Sequence, residues 1–208
     1  MNHHRLYALA IAVATLHGTA GAASFFANEG AWDAAVGAAT IAVENFDGAP
    51  TASTTTSLTY GDVTFSCSGT TYCPGFFGTR NLGNGGSVSV YGATPDTLTF
   101  TFDHAITFFG IDTIGVGTVG ATDLRLSLSN GSSDIVLAGY AAGGTQFVGV
   151  YDAAGFTSVS FTGSQRDDGI DFDRLQSGAA TVVPEPANLA LMLGGVGLLG
   201  ASARRRKS

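Results

Sequence analysis

The sequence predicts an all-β domain, an antiparallel β-sandwich with one short N-terminal helix, and three observations carry that expectation. Apolar and polar residues alternate with period two through most of residues 24–181. Clusters of Gly, Asn, Asp and Ser interrupt the alternation at short intervals, as turns do. Twenty-four glycines lie between residues 23 and 181, too many for helices and suited to bulges and tight turns. About ten short strands joined by polar turns pack as two antiparallel sheets face to face.

The helix comes first, in "ANEGAWDAAVGAA". Asn28 is a good N-cap, Glu29 suits the positive end of the helix dipole, and Gly37 can end the helix. Trp32 and Val36, four residues apart, share one face, so Trp32 is read as an anchor on the sheet rather than a sugar-stacking platform. Among the strands, "TLTFTFD" sets Leu98, Phe100 and Phe102 against Thr97, Thr99 and Thr101. In "DLRLSLS", Leu124, Leu126 and Leu128 oppose Arg125 and Ser127, and in "SVSFTG" Val159 and Phe161 point one way. Further strands are predicted over 41–46, 58–66, 87–91, 106–114, 135–138, 146–151 and 170–173, with Asp103-His104-Ala105 as a turn.

The two chain ends read differently from the domain. Residues 1–5 are short and basic, 6–16 are apolar, and Ala20-Gly21-Ala22 supplies small residues for cleavage, which together predict a signal peptide over 1–23 and signal peptidase as a partner. Residues 187–203 carry no charge over seventeen positions, about 25 Å of helix and enough for a short membrane span. Arg204, Arg205, Arg206 and Lys207 would hold that end on the cytoplasmic side of the inner membrane, while the domain at 24–181 crosses it. Pro184 and Pro186, flanking Glu185, lack amide donors and disfavour helix before them, leaving an extended segment open to a processing enzyme.

The order Val-Pro-Glu-Pro, a Gly- and Leu-rich apolar run, then Arg-Arg-Arg-Lys resembles the PEP-CTERM sorting signal of bacterial exported proteins, over 182–208. That resemblance implies recognition by an exosortase, an integral-membrane cysteine protease, and delivery of the domain to the cell surface or exterior. It also implies an exopolysaccharide-rich setting, and hence a matrix role or glycan contact. In outline, "ATIAVENFDG", "FTFDHAITFFGIDTI", "FVGVYDAAGFTSVSFTG" and "DDGIDFDRL" resemble the jelly-roll domains that often precede this signal.

Charge and cysteine content narrow the function. Residues 23–181 hold four arginines and no lysine against fifteen acids, a formal charge of −11, which repels nucleic acid and anionic lipid. Divalent cations and neutral glycans remain compatible. Cys67 and Cys73, six residues apart in "FSCSGTTYCPG", read as a disulfide in an oxidising exterior, since a metal site would want more thiolates or a histidine beside them.

His104 is the one histidine after residue 23, and no nucleophile-elbow pattern surrounds any serine, so no catalytic residue is assigned and the domain is read as not an enzyme. Paired carboxylates for glycoside hydrolysis are a lesser alternative. A carbohydrate-binding module would expose Tyr72, Phe76, Phe77 and Tyr91 near the disulfide loop; a structural protein would bury them. Glu44, Asp47, Asp171 and Asp173 are the candidate ligands of a structural calcium ion, if the first and last strands are neighbours. The alternation conflicts at Phe46, which falls on the face of Glu44 rather than that of Ile41 and Val43, so a bulge or a different register is expected there.

Overall fold

The computed structural model describes residues 22–46, 56–73, 78–81, 88–93 and 96–179. Among them are one helix, α1 (Glu29–Val36), and eleven strands. The first six strands are β1 (Ser24–Phe26), β2 (Ala42–Glu44), β3 (Ser57–Tyr60), β4 (Val63–Ser68), β5 (Gly78–Asn81) and β6 (Val88–Ala93). The remaining five are β7 (Thr97–Ile114), β8 (Thr122–Leu128), β9 (Ser133–Tyr140), β10 (Thr145–Gly163) and β11 (Gly169–Gly178). The predicted signal peptide and the predicted span at 187–203 lie outside the described residues. Among those described, no helix is long and apolar enough to cross a membrane.

The expectation of two separate sheets is corrected. All eleven strands belong to one open antiparallel sheet, ordered β5-β6-β11-β7-β10-β8-β9, with β1 on β10, β2 on β11, and β3 joined through β4 to β7. The cause is the length of β7 and β10, with 18 and 19 residues, each expected as two strands. Asp103, His104 and Ala105 do not form a turn: β7 runs through them, and the irregularity is taken up by register shifts on β10 between Tyr151 and Ser158. Backbone pairing therefore continues from one half of the sheet to the other. The first half of β7 pairs with β4 and the end of β10; the second half pairs with the start of β10 and with β11.

One apolar core joins these halves. Phe65 stacks on Phe100 across β4 and β7, with centroids 4.5 Å apart, while Phe172 of β11 meets Phe65, Phe100 and Phe161 within 5.7 Å. Those rings come from both halves, so the alternating side chains of the sheet close over one another and exclude water. Phe46 belongs to this core: a φ of 58° turns its side chain inward, and Glu44 Oε1 accepts its amide at 2.7 Å, which resolves the conflict in the alternation.

A second, smaller cluster lies on the opposite face of β7. Asn28 caps α1 by accepting the amide of Ala31 at 3.0 Å, and Trp32 and Val36 are buried against Phe108 and Phe147. The Trp32 indole donates to the Val150 carbonyl at 3.3 Å and meets the Phe147 ring at 5.3 Å. Trp32 is thus packed on the sheet and not displayed to solvent.

Candidate functional site

Two partly polar-lined concavities meet where the β3–β4 turn approaches the middle of β7. Sequence alternation reads 58–66 as one strand, but Gly61-Asp62 is a two-residue turn with Tyr60 directly opposite Val63. Gly61 has a φ of 53°, which a side chain would disfavour, and the short loop sends the chain straight back. The signal that identifies this hairpin is the Gly-Asp pair between alternating runs. Asp62 projects from it beside Asp103 and His104 of β7, and a backbone bond from Asp103 N to Asp62 O at 3.1 Å fixes the approach.

Ligand atoms of Asp62, Asp103 and His104 lie within 4.8 Å of one another, and all three residues are exposed. His104 Nδ1 is hydrogen-bonded to Asp103 Oδ1. On one side is a groove of about 220 Å³ lined by Glu44, Tyr60, Phe102, His104 and Leu175 among others. Burial pushes the Tyr60 phenol above its ordinary value, against a hydrogen bond with Thr79, and the charge of Glu44 adds to the rise. On the other side, Thr59, Thr64 and Thr101 border a shallower depression with Asp62 and Asp103. The corner thus offers carboxylate acceptors, an imidazole and hydroxyls to solvent.

Of the predicted calcium ligands, Glu44 lies on β2, which pairs with β11 as expected, but on the opposite face of the sheet from Asp171 and Asp173. Glu44 pairs with Leu175, whose side chain is in the core, so it lies on the inner face and lines the groove. Asp171 and Asp173 pair with Ile114 and Asp112 of β7, on the face that carries Arg174 and α1. Asp171 is buried, and Asp173 Oδ1 accepts the amide of Arg174 at 2.7 Å. The register shift between Asp173 and Gln176, with Arg174 at a φ of 49°, separates the two faces. Asp47 lies outside the described residues.

Arg174 organises this outer face. Its guanidinium donates to Asp112 through Nε and Nη2, both at 2.9 Å, and to Glu29 at the start of α1, through Nη2 at 3.0 Å. Gln176 adds a bond to Glu29 at 3.1 Å. The Arg174 hydrogen bonds hold the Glu29 carboxyl below its ordinary value despite the opposing effect of burial, with Gln176 contributing in the same direction. The arginine is raised in turn, chiefly by Glu29 and then Asp112. Sequence patterning missed this clamp because its three charged members lie on different elements.

Cys67 and Cys73 form a disulfide with Cα atoms 6.0 Å apart. Its loop closes on Asp96, a buried residue that sequence reading passed over: the carboxylate accepts amides of Tyr72 at 2.6 Å, Cys73 at 2.7 Å and Thr71 at 3.2 Å. Asp168 and Asp152, also buried, do similar work, accepting the amide of Gly117 at 2.7 Å and the side-chain amide of Asn130, between β8 and β9, at 2.8 Å. Several acids of this lysine-free domain therefore hold loops. Of the four aromatics proposed as a sugar platform, Tyr72 is half-buried, Phe76 and Phe77 lie outside the described residues, and Tyr91 is described only through the backbone of β6.

Comparison with curated proteins finds no match. Among solved structures, the chain is similar to the enzymatically active domain of tailspike protein 4 of Bacteriophage CBA120, at 17% identity and a TM-score of 0.35. That alignment covers 56% of this chain and 19% of the tailspike chain. Residues 182–207, where the proline-flanked glutamate, the apolar run and the basic cluster follow in order, match the family model of the PEP-CTERM protein-sorting motif, and the chain carries that motif.

Proposed function

We propose that this chain is an exported, exosortase-processed surface or extracellular protein whose β domain has a structural, non-catalytic role in the matrix. The observation that carries the reading is the PEP-CTERM motif at 182–207. Its parts have separable physical duties: Pro184-Glu185-Pro186 presents an extended processing segment, 187–203 enters the inner membrane, and Arg204 to Lys207 fix orientation.

The domain supports the structural half of the reading. Its disulfide and its loop-holding carboxylates at Asp96, Asp152 and Asp168 suit an oxidising exterior and a body built for persistence. The Asp103–His104 pair stands in open solvent, with side-chain exposures of 62% and 59%, where a base gains little from a preorganised, water-poor environment. Glycan contact is a second reading, favoured by the carboxylates and hydroxyls that converge beside the Gly61-Asp62 turn.

Replacing Arg204, Arg205, Arg206 and Lys207 together by glutamine tests the export reading. Unprocessed precursor should accumulate in the membrane fraction. Export and processing at the wild-type level would reject the reading.

A further inference from the structure

One half of the sheet turns two rows of hydroxyl-bearing residues away from the core. In β3, β4, β7, β10 and β8 the inward positions are held by Leu58, Phe65, Phe100, Phe161 and Leu126 and their neighbours, so the alternate positions point away from the core. Register brings hydroxyls into line across the strands. Ser57 pairs with Ser66, Ser66 with Thr99, Thr99 with Ser160, Ser160 with Ser127, and Ser127 with Ser133 of β9. A second row runs Thr59, Thr64, Thr101 and Ser158.

The first row spans six strands, about 24 Å at the usual strand spacing. Neither row contains a charge, in a domain whose formal charge is −11. In two of the pairs hydroxyl bonds to hydroxyl: Thr99 Oγ1 and Ser160 Oγ are 2.9 Å apart, and Thr59 Oγ1 and Thr64 Oγ1 are 3.1 Å apart. Each hydroxyl has one donor and two acceptor positions, so these contacts leave capacity for a ligand. Helix α1 packs on the other half of the sheet, against Phe108 and Phe147, and does not cover this surface. The second row runs alongside the depression that Asp62 and Asp103 border, and Thr59, Thr64 and Thr101 all line it.

We propose that this face binds a single chain of neutral, hydroxyl-rich polysaccharide laid across the strands, with Asp62 and Asp103 holding it from one side by accepting sugar hydroxyl protons. Polarity selects that occupant. A polyanion is repelled by the acidic domain and finds no cation in either row, Arg125 beside Ser127 on β8 being set against the domain's excess of acids. An apolar protein surface would take the remaining hydrogen-bonding positions of these hydroxyls out of water without replacing them, at a cost. Adjacent strands step by about 4.8 Å, close to the length of one sugar unit, so successive units can meet successive strands. The normal twist of about 20–25° per strand prevents a flat crystalline lattice from following the whole row, whereas one flexible chain can turn with it. Many weak hydrogen bonds then add along one polymer.

The inference rests on the glycan-contact reading above, but its test is independent of export and processing. The full chain, purified in detergent, is run by affinity electrophoresis through gels holding a mixed-linkage β-glucan, a galactomannan or a dextran, with alginate as the polyanion. The chain should be retarded by at least one neutral polymer and not by alginate. A triple variant, Thr64→Val, Thr99→Val and Thr101→Val, keeps strand-favouring β-branched residues and removes three hydroxyls. It should weaken binding about tenfold or more at an unchanged melting temperature. Asp62→Asn should weaken it less. Absence of retardation by every neutral polymer would overturn the proposal, as would a triple variant that remains folded and binds as the wild type does. Should the triple variant melt early, Ser160→Ala with Ser127→Ala provides the same comparison, and undiminished binding there overturns it equally.

Discussion

Gly110 of β7 and Gly149 of β10 are direct cross-strand partners, and together they form the floor on which the Trp32 indole rests. A Cβ on Gly149 would lie 2.6 Å from Trp32 Cδ1, and one on Gly110 would lie 2.6 Å from the Phe147 ring. Neither glycine has a positive φ among the backbone angles, so close approach rather than turn geometry requires them. Gly149→Ala should therefore cost about 1–2 kcal/mol net, overpacking outweighing the modest gain of removing a strand glycine. Trp32 is the one tryptophan of the chain. Thermal melting should fall by several degrees, and tryptophan emission should shift to the red. A variant as stable as wild type with unshifted emission would show that the pair is not a constraint.

The clamp between Arg174, Glu29 and Asp112 predicts a pH dependence of defined sign. Glu29 has a lowered pKa in the folded protein, so its contribution is complete above the ordinary value of 4.5 and is lost as the pH falls through the lowered one. The stability advantage of wild type over Glu29→Gln should be level from neutral pH to about 5 and shrink in more acid solution. Arg174→Leu should cost about 1 kcal/mol, kept small by the exposure of Arg174 and Glu29 at 37% and 38%. Arg174→Lys should recover only part of that, since an ammonium cannot reproduce the forked contact to Asp112. Urea unfolding across pH 3–7 measures all three.

Cross-linking Cys67 to Cys73 closes a short loop, for which chain entropy gives about 2 kcal/mol. Reduction should lower the melting temperature accordingly. Asp96→Asn leaves one carbonyl oxygen for three amides and should cost about 1–3 kcal/mol even with the disulfide intact. If Asp96→Asn is neutral in the oxidised protein, the carboxylate does not hold the loop.

How much of this was legible beforehand depends on the range of each interaction. Alternation in "TLTFTFD" and "DLRLSLS" identifies inward and outward residues correctly, because period two is a local property of an extended chain. Helix α1 was equally readable from Asn28, Glu29 and the Trp32–Val36 spacing. What alternation does not contain is continuity: nothing in "FDHAIT" says whether the chain turns at His104 or runs on through a bulge, since partner strands decide that. The missed Gly61-Asp62 turn hid the juxtaposition of Asp62 with Asp103 and His104 on the neighbouring strand β7. Arg174 reaches Glu29 across 145 positions, a distance no local pattern encodes.

Intact-mass measurement of the protein recovered outside the cell tests the central claim most directly. Processing at the PEP-CTERM motif predicts a mature chain that begins near Ala23 or Ser24 and ends close to Pro184–Pro186, without the apolar run and without Arg204 to Lys207. An extracellular species whose mass still includes residues 187–207 would contradict it.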